Sequence, residues 1–142
     1  MRRLPGVILV LSVLSCNADF GPSGRYEKWL KDGPKSYVMT VSRTCGNCPV
    51  EMMGPVRVSV RGSVVSRTYV SSSLPVPKGL DEIFPTVSEL FYMIDLLKVD
   101  KRYRLSVQYD PDLEIPVAIN IETFADGVDV EIGIYVTGFQ TQ

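Results

Sequence analysis

Cys45-Gly46-Asn47-Cys48 is the spacing in this chain most suggestive of chemistry. Two thiols separated by two residues cycle as a redox pair when the first heads a helix, whose free amides and dipole lower its pKa. Only Pro49 to Gly54 lies between this motif and the next proline-started segment, which leaves no room for such a helix. A zinc ribbon needs a second cysteine pair, and the chain has only three cysteines. The motif therefore predicts a local disulfide closing a loop between two strands, with thiol-disulfide chemistry at Cys45 and Cys48 as the alternative. Carboxylates raise a second possibility. Asp110, Asp112 and Glu114 alternate along Asp110-Pro111-Asp112-Leu113-Glu114 and invite a Ca²⁺ reading. The glycine and the distant glutamate of a calcium loop are missing, so Asp-Pro starting a hairpin turn is the better reading. Asp126-Gly127-Val128-Asp129 reads as another turn. Asp129 and Glu131 share a strand face and have the types of an acid and base pair, but nothing in the sequence supplies a pocket for them. The chain contains no histidine, which excludes Ser-His-Asp and Cys-His catalysis and His-containing zinc sites. No catalytic set, metal, cofactor or small-molecule substrate is predicted.

The start of the chain points to export. Met1-Arg2-Arg3 is basic, and Leu4 to Leu14 is an apolar run of eleven residues broken by Pro5, Gly6 and Ser12. At about 1.5 Å per residue such a run falls far short of a hydrocarbon core roughly 30 Å thick, so residues 1–15 read as a signal peptide rather than a membrane span. Val13-Leu14-Ser15-Cys16 resembles the bacterial lipobox, which implies lipid on the Cys16 thiol, cleavage before it and a membrane anchor. Asn17 in the next position implies, by the same resemblance, the outer membrane where a cell has one. The odd cysteine count then resolves into one anchor and one pair.

The mature chain from Cys16 would carry thirteen basic and sixteen acidic residues, unevenly spread. Cys16 to Lys78 holds nine basic and four acidic residues, whereas Gly79 to Gln142 holds four and twelve. Two halves of one domain that attract each other account for this; the other account is a basic patch aimed at anionic lipid or nucleic acid. Net acidity and the absence of a dense Lys/Arg run argue against nucleic acid.

The elements that must position these residues follow from periodicity. Residues 16–24 are a lipidated cysteine and polar tether, and residues 25–142 form one domain. Tyr26 to Lys31 reads as a short helix with Tyr26, Trp29 and Leu30 on one side, stopped by Asp32-Gly33-Pro34. Strands are predicted over Ser36 to Thr44, Pro55 to Arg61 and Val64 to Val70, the last two joined at Gly62-Ser63. Ser71 to Pro85 is a loop. Thr86-Val87-Ser88-Glu89 is a capping box opening a helix over residues 87–98, with Val87, Leu90, Phe91, Ile94 and Leu97 on its apolar face. Arg102 to Asp110, Pro116 to Glu122 and Val128 to Phe139 alternate as three more strands. The order is α-β-β-β twice, over residues 25–70 and 86–139, so an α+β domain of two layers is expected: an antiparallel sheet of about six strands with both helices on one face. Arg57, Arg61 and Arg104 fall on the other face. They pair with Glu122, Asp129 or Glu131 across strands, or they form a docking face for an anion or another envelope protein.

Taken in order, the Trp29 helix, Ser36-Tyr37, the close cysteine pair, Pro55-Val56-x-Val58-x-Val60-x-Gly62-x-Val64-x-Ser66, Thr86-Val87-x-Glu89-Leu90-Phe91, Val107-x-Tyr109-Asp110-Pro111 and Ile115-Pro116 resemble a family of bacterial lipoproteins and secreted proteins whose domain has no known function. That resemblance implies a non-catalytic, membrane-anchored envelope protein. Its departures, Cys-x-x-Cys for a tighter pair and Glu114-Ile115-Pro116 for Gly-Tyr-Pro, fall in turns. The repeated layout is also similar, in architecture alone, to small periplasmic inhibitory domains built from tandem helix-plus-sheet units.

Overall fold

The computed structural model describes residues 23–125 and 128–142. The signal segment 1–15, Cys16 and the turn residues Asp126 and Gly127 lie outside the described residues, as does the tether up to residue 22. Helix α1 (Gly24–Asp32) leads into β1 (Ser36–Cys45), β2 (Val56–Arg61) and β3 (Val64–Tyr69). Helix α2 (Val87–Lys98) leads into β4 (Tyr103–Tyr109), β5 (Pro116–Ala125) and β6 (Val128–Thr141). All six strands form one antiparallel sheet in the order β3-β2-β1-β6-β5-β4. This is the expected α+β architecture, and the α-β-β-β order recurs as the alternation required.

The recurrence in sequence is not a recurrence in position. Strand β1 opens the first unit and lies at the centre of the sheet, paired with β6, whereas β4 opens the second unit and lies at an edge. Only the middle strands β2 and β5, which share the Pro-Val start, occupy corresponding places.

The inner face of the sheet carries Tyr37, Met39 and Val41 of β1, Val56, Val58 and Val60 of β2, Ile119 and Ile121 of β5, and Ile134 and Val136 of β6, all buried. Helix α2 covers them with Val87, Leu90, Phe91 and Ile94, none more than 1% exposed. Each such side chain contributes roughly 1.5–3 kcal/mol by leaving water, so α2 is fastened to the sheet far more strongly than α1. Helix α1 buries no residue completely. It is held by Trp29, whose ring meets Tyr37 and Phe139 edge-on and whose Nε1 donates to Ser88 Oγ at 3.0 Å, and by Tyr26 stacked on Phe91. Leu30, expected on the packed side, is 49% exposed.

Strict alternation along β6 would turn Phe139 away from the core. A register shift opposite Met39, with Gly138 at φ +61°, inserts one residue and restores Phe139 to the inner face, where it stacks on Tyr37. The aromatic cluster that holds α1 thus depends on a bulge that only a residue tolerant of positive φ accommodates without strain.

The first turn of α2 is tied to three other elements. Thr86 and Glu89 form the expected capping box, with Glu89 N donating to Thr86 Oγ1 at 3.3 Å and Thr86 N donating to Glu89 Oε2 at 2.6 Å. Val87 N donates to the buried Tyr37 hydroxyl at 3.1 Å. Arg67 of β3 donates through Nε to Phe84 O at 2.6 Å and through Nη2 to Glu89 Oε2 at 2.7 Å. A lone guanidinium at a helix N-terminus opposes the dipole, and the Glu89 carboxylate beside it removes that cost.

Thr86→Ala is expected to lower unfolding stability in urea by about 1 kcal/mol, and Tyr37→Phe by about 1–2 kcal/mol because Val87 N loses its buried acceptor. Burial raises the Tyr37 phenol above its ordinary value of 10.0. Its share of stability is therefore whole below pH 10 and fades as the pH rises through the higher folded value. Urea midpoints measured from pH 8 upward should fall less steeply in Tyr37→Phe than in the wild type.

Candidate functional site

Cys45 is the last residue of β1, paired in register with Ile132, and Cys48 lies three residues on, before a single 3-10 turn at Val50–Met52. The two cysteines are joined in a disulfide with their Cα atoms 5.6 Å apart. No helix begins at either cysteine, so the helix amides and dipole that activate a redox thiol are not there. Below the loop, Arg43 of β1 reaches Met52 O with Nη1 at 3.1 Å, and its backbone N donates to Met53 O at 2.8 Å. Burial lowers the Arg43 pKa from its ordinary value, which fits a cation used as a strut beneath a loop. The disulfide and Arg43 together fix the segment between β1 and β2.

The acidic hairpin from Asp110 to Glu114 is a turn in which the Asp110 and Glu114 carboxylates have partners within the domain. Asp110 Oδ1 accepts from Asp112 N at 2.9 Å and Leu113 N at 2.8 Å, and Glu114 N donates to Asp110 O at 2.8 Å. Glu114 pairs with Lys28 of α1, which lowers the carboxyl pKa and raises that of the lysine. Among the described residues no group of three or more His, Cys, Asp or Glu side chains is placed to hold a metal. Glu131 is exposed and stands opposite Glu122 in register, so its nearest strand neighbour is another carboxylate.

The face of the sheet turned away from the helices separates the three candidate arginines. Arg104 on β4 pairs with Glu122 at 3.2 Å and lies over the Phe124 ring at 5.0 Å. Both groups of the ion pair are largely exposed, so the pair adds little stability but does occupy the charge. Arg57 and Arg61 on β2 are exposed, and their strand neighbours are Thr40 and Thr68 for the first, Ser36 and Val64 for the second. Neither reaches a carboxylate among the described residues. Strands β2 and β4 are four places apart in the sheet, about 19 Å at the usual spacing. Arg104 is therefore not part of a patch with the other two.

Between these ends the same face carries the Glu131 and Glu122 carboxylates and Tyr135. Tyr135 lies back over Gly133, where an added Cβ would sit 2.8 Å from the ring and 2.4 Å from Thr44 Oγ1. The Tyr135 hydroxyl is 3.3 Å from Asn120 Oδ1 and donates to it.

A model of the family of unknown function DUF6174 matches residues 23–141, nearly the whole described domain. The chain belongs to this family. No curated protein and no solved structure matches it. The DUF6174 domain thus begins at the residue before α1 and ends in β6, and the match brings no assigned residue or ligand with it.

Two features of this DUF6174 domain were not foreseen from the sequence. Arg67 falls at an inward position of β3 between Val65 and Tyr69, opposite Val58. A charge at that parity was the available signal for a buried anchor. The second is a groove beside β4, lined by Arg25, Leu97, Lys98, Tyr103, Arg104, Leu105, Val107 and Tyr109.

For the cysteine pair the expectation is structural. Cys45→Ser with Cys48→Ser should keep the fold and lose at most about 2 kcal/mol in urea, since a ring this small constrains the unfolded chain weakly. Purified wild-type protein should show no insulin reductase activity.

Proposed function

We propose that this chain is an exported protein of the cell envelope, anchored by lipid on Cys16, whose single domain binds another envelope protein and catalyses no reaction. The observation that carries the binding reading is the state of Arg57 and Arg61. They stand 4 residues apart on β2, exposed, on the helix-free face, with no carboxylate partner among the described residues. Four other cations of the domain are committed, Arg67 to Glu89, Arg102 to Asp100, Arg104 to Glu122 and Lys28 to Glu114, and no second exposed arginine pair shares one strand face without a carboxylate among the described residues. Two unpaired guanidinia on a rigid strand are suited to bidentate capture of carboxylates on a partner surface.

Export is supported by the basic and apolar start of the chain and by the Cys45–Cys48 disulfide, a bond that persists in oxidising compartments. The resemblance of Val13-Leu14-Ser15-Cys16 to the lipobox supports the anchor, and Asn17 favours the outer membrane. A secreted inhibitor or accessory factor is a specialised form of the same reading. The thiol-disulfide alternative is not favoured, because Cys45 closes a strand and only a three-residue turn follows Cys48.

Crosslinking in intact membranes tests the docking face. A photo-crosslinker at Ser59, between the two arginines on β2, should give one discrete adduct. Replacing Arg57 and Arg61 with Gln together should remove the adduct and leave circular dichroism and urea unfolding unchanged. An adduct that survives the double replacement would exclude this face as the docking surface.

A further inference from the structure

The sheet has two edges, and the chain treats them differently. At β3 the segment Leu74–Val76 lies against the strand: Tyr69 N donates to Leu74 O at 2.9 Å, Val76 N donates to Arg67 O at 2.9 Å, and Thr68 bridges Pro75. A proline and a short covering segment are common means of blunting an edge. At β4 no such segment is present among the described residues. Phe124 N donates to Arg102 O, so the alternation of an antiparallel ladder turns the amides and carbonyls of Leu105 and Val107 to the free side. Tyr103 N is already taken by Asp100 O at 3.2 Å.

The free edge borders the groove. Its volume is about 500 Å³, and its floor is the inward row Tyr103, Leu105, Val107 and Tyr109, only half-buried because α2 leaves them partly uncovered. Cations mark both ends. Arg25 of α1 lies 4.2 Å over the Tyr109 ring, and Lys98 stands in the last turn of α2. Among the described residues neither forms an ion pair and no acidic side chain lines the groove; Asp95 of α2, near Tyr109, accepts from Ser23 N at 3.0 Å. Half-buried apolar side chains, unpaired strand amides and flanking positive charge coincide in one place.

We infer that the β4 edge and its groove bind an extended acidic segment of a partner protein as a seventh strand. Paired antiparallel to β4, the segment lays alternate side chains on Leu105 and Val107, and carboxylates on that same side at its two ends meet Arg25 and Lys98. Strand addition supplies affinity through the main chain and specificity through every second side chain. A second copy of this chain fits less well, because antiparallel pairing of two β4 edges brings Arg25 of each copy toward Lys98 of the other. This surface is separate from Arg57 and Arg61, so it stands or falls independently of the docking face proposed above.

The probe is a nine-residue peptide, Ser-Glu-Ser-Val-Ser-Val-Ser-Glu-Ser, with both ends blocked, titrated into the full-length protein; its Val and Glu side chains share one strand face. It should bind, weaken as salt is raised, and slow amide exchange at Leu105 and Val107 above all other strand residues. The hydrogen-bond phase makes a sharper demand. Residues whose side chains enter the groove exchange main-chain hydrogen bonds with Leu105 and Val107, so N-methylation of the Val residues should weaken binding about tenfold or more, a loss of about 1.4 kcal/mol. N-methylation of the Ser residues, whose amides face away, should be tolerated. Lys98→Glu, an exposed change at the end of α2, should weaken binding several-fold. Four results overturn the inference: equal binding of the N-methyl-Val probe, equal binding of a probe with Lys in place of both Glu residues, no binding at about 1 mM, or protection of Leu105 and Val107 before any peptide is added.

Discussion

The first turn of α2 is the point on which the rest of the domain depends. Backbone amides at a helix start have no acceptor within the helix, and here those of Thr86, Val87 and Glu89 find theirs in Glu89 Oε2, the Tyr37 hydroxyl and Thr86 Oγ1. Because Tyr37 belongs to β1 and Arg67, which holds Glu89, to β3, satisfying one helix end also sets the position of the helix over the first three strands. Trp29 donates to Ser88 in the same turn and so fixes α1. Sheet, core helix and outer helix meet where unsatisfied backbone would otherwise be buried, and this selects one arrangement among those that would bury similar apolar area.

Rigidity at that point has a consequence for the surfaces. The inner residues of β1 and β2 from Tyr37 to Val41 and Val56 to Val60 are buried, whereas Tyr103, Leu105, Val107 and Tyr109 of β4 are only partly so. Among the described residues, one face of the sheet carries no helix and one edge has no covering segment. A domain built this way presents fixed, preorganised surfaces, which lowers the conformational cost of binding. The proposed anchor at Cys16 would hold those surfaces close to a membrane, where few orientations are available to a partner.

Much of the fold was legible because it rests on local periodicity. The α2 bounds, the capping box, the Gly62 turn and the inward sets of β1, β2 and β5 follow from spacing alone. What was not legible depended on distant partners. Pairing of β1 with β6 is a long-range choice that no local pattern records, and it makes the repeated order a reversed placement. The inward turn of Phe139 came from a bulge at Gly138, which one-residue counting cannot detect. Among site residues, the fate of the arginines was open in sequence and diverged in space: Arg104 found Glu122, while Arg57 and Arg61 found only neutral neighbours. The groove at β4 was hidden because its width depends on where α2 ends relative to the sheet.

The central claim is that an oxidised, preorganised domain is tethered by lipid to an envelope membrane. Intact-mass measurement of the protein isolated from its native membranes tests it most directly. The account predicts a chain beginning at Cys16, heavier than its sequence by the mass of acyl chains, and lighter by two hydrogens through the Cys45–Cys48 bond. A chain that retains Met1, carries no lipid and has three free thiols would contradict it.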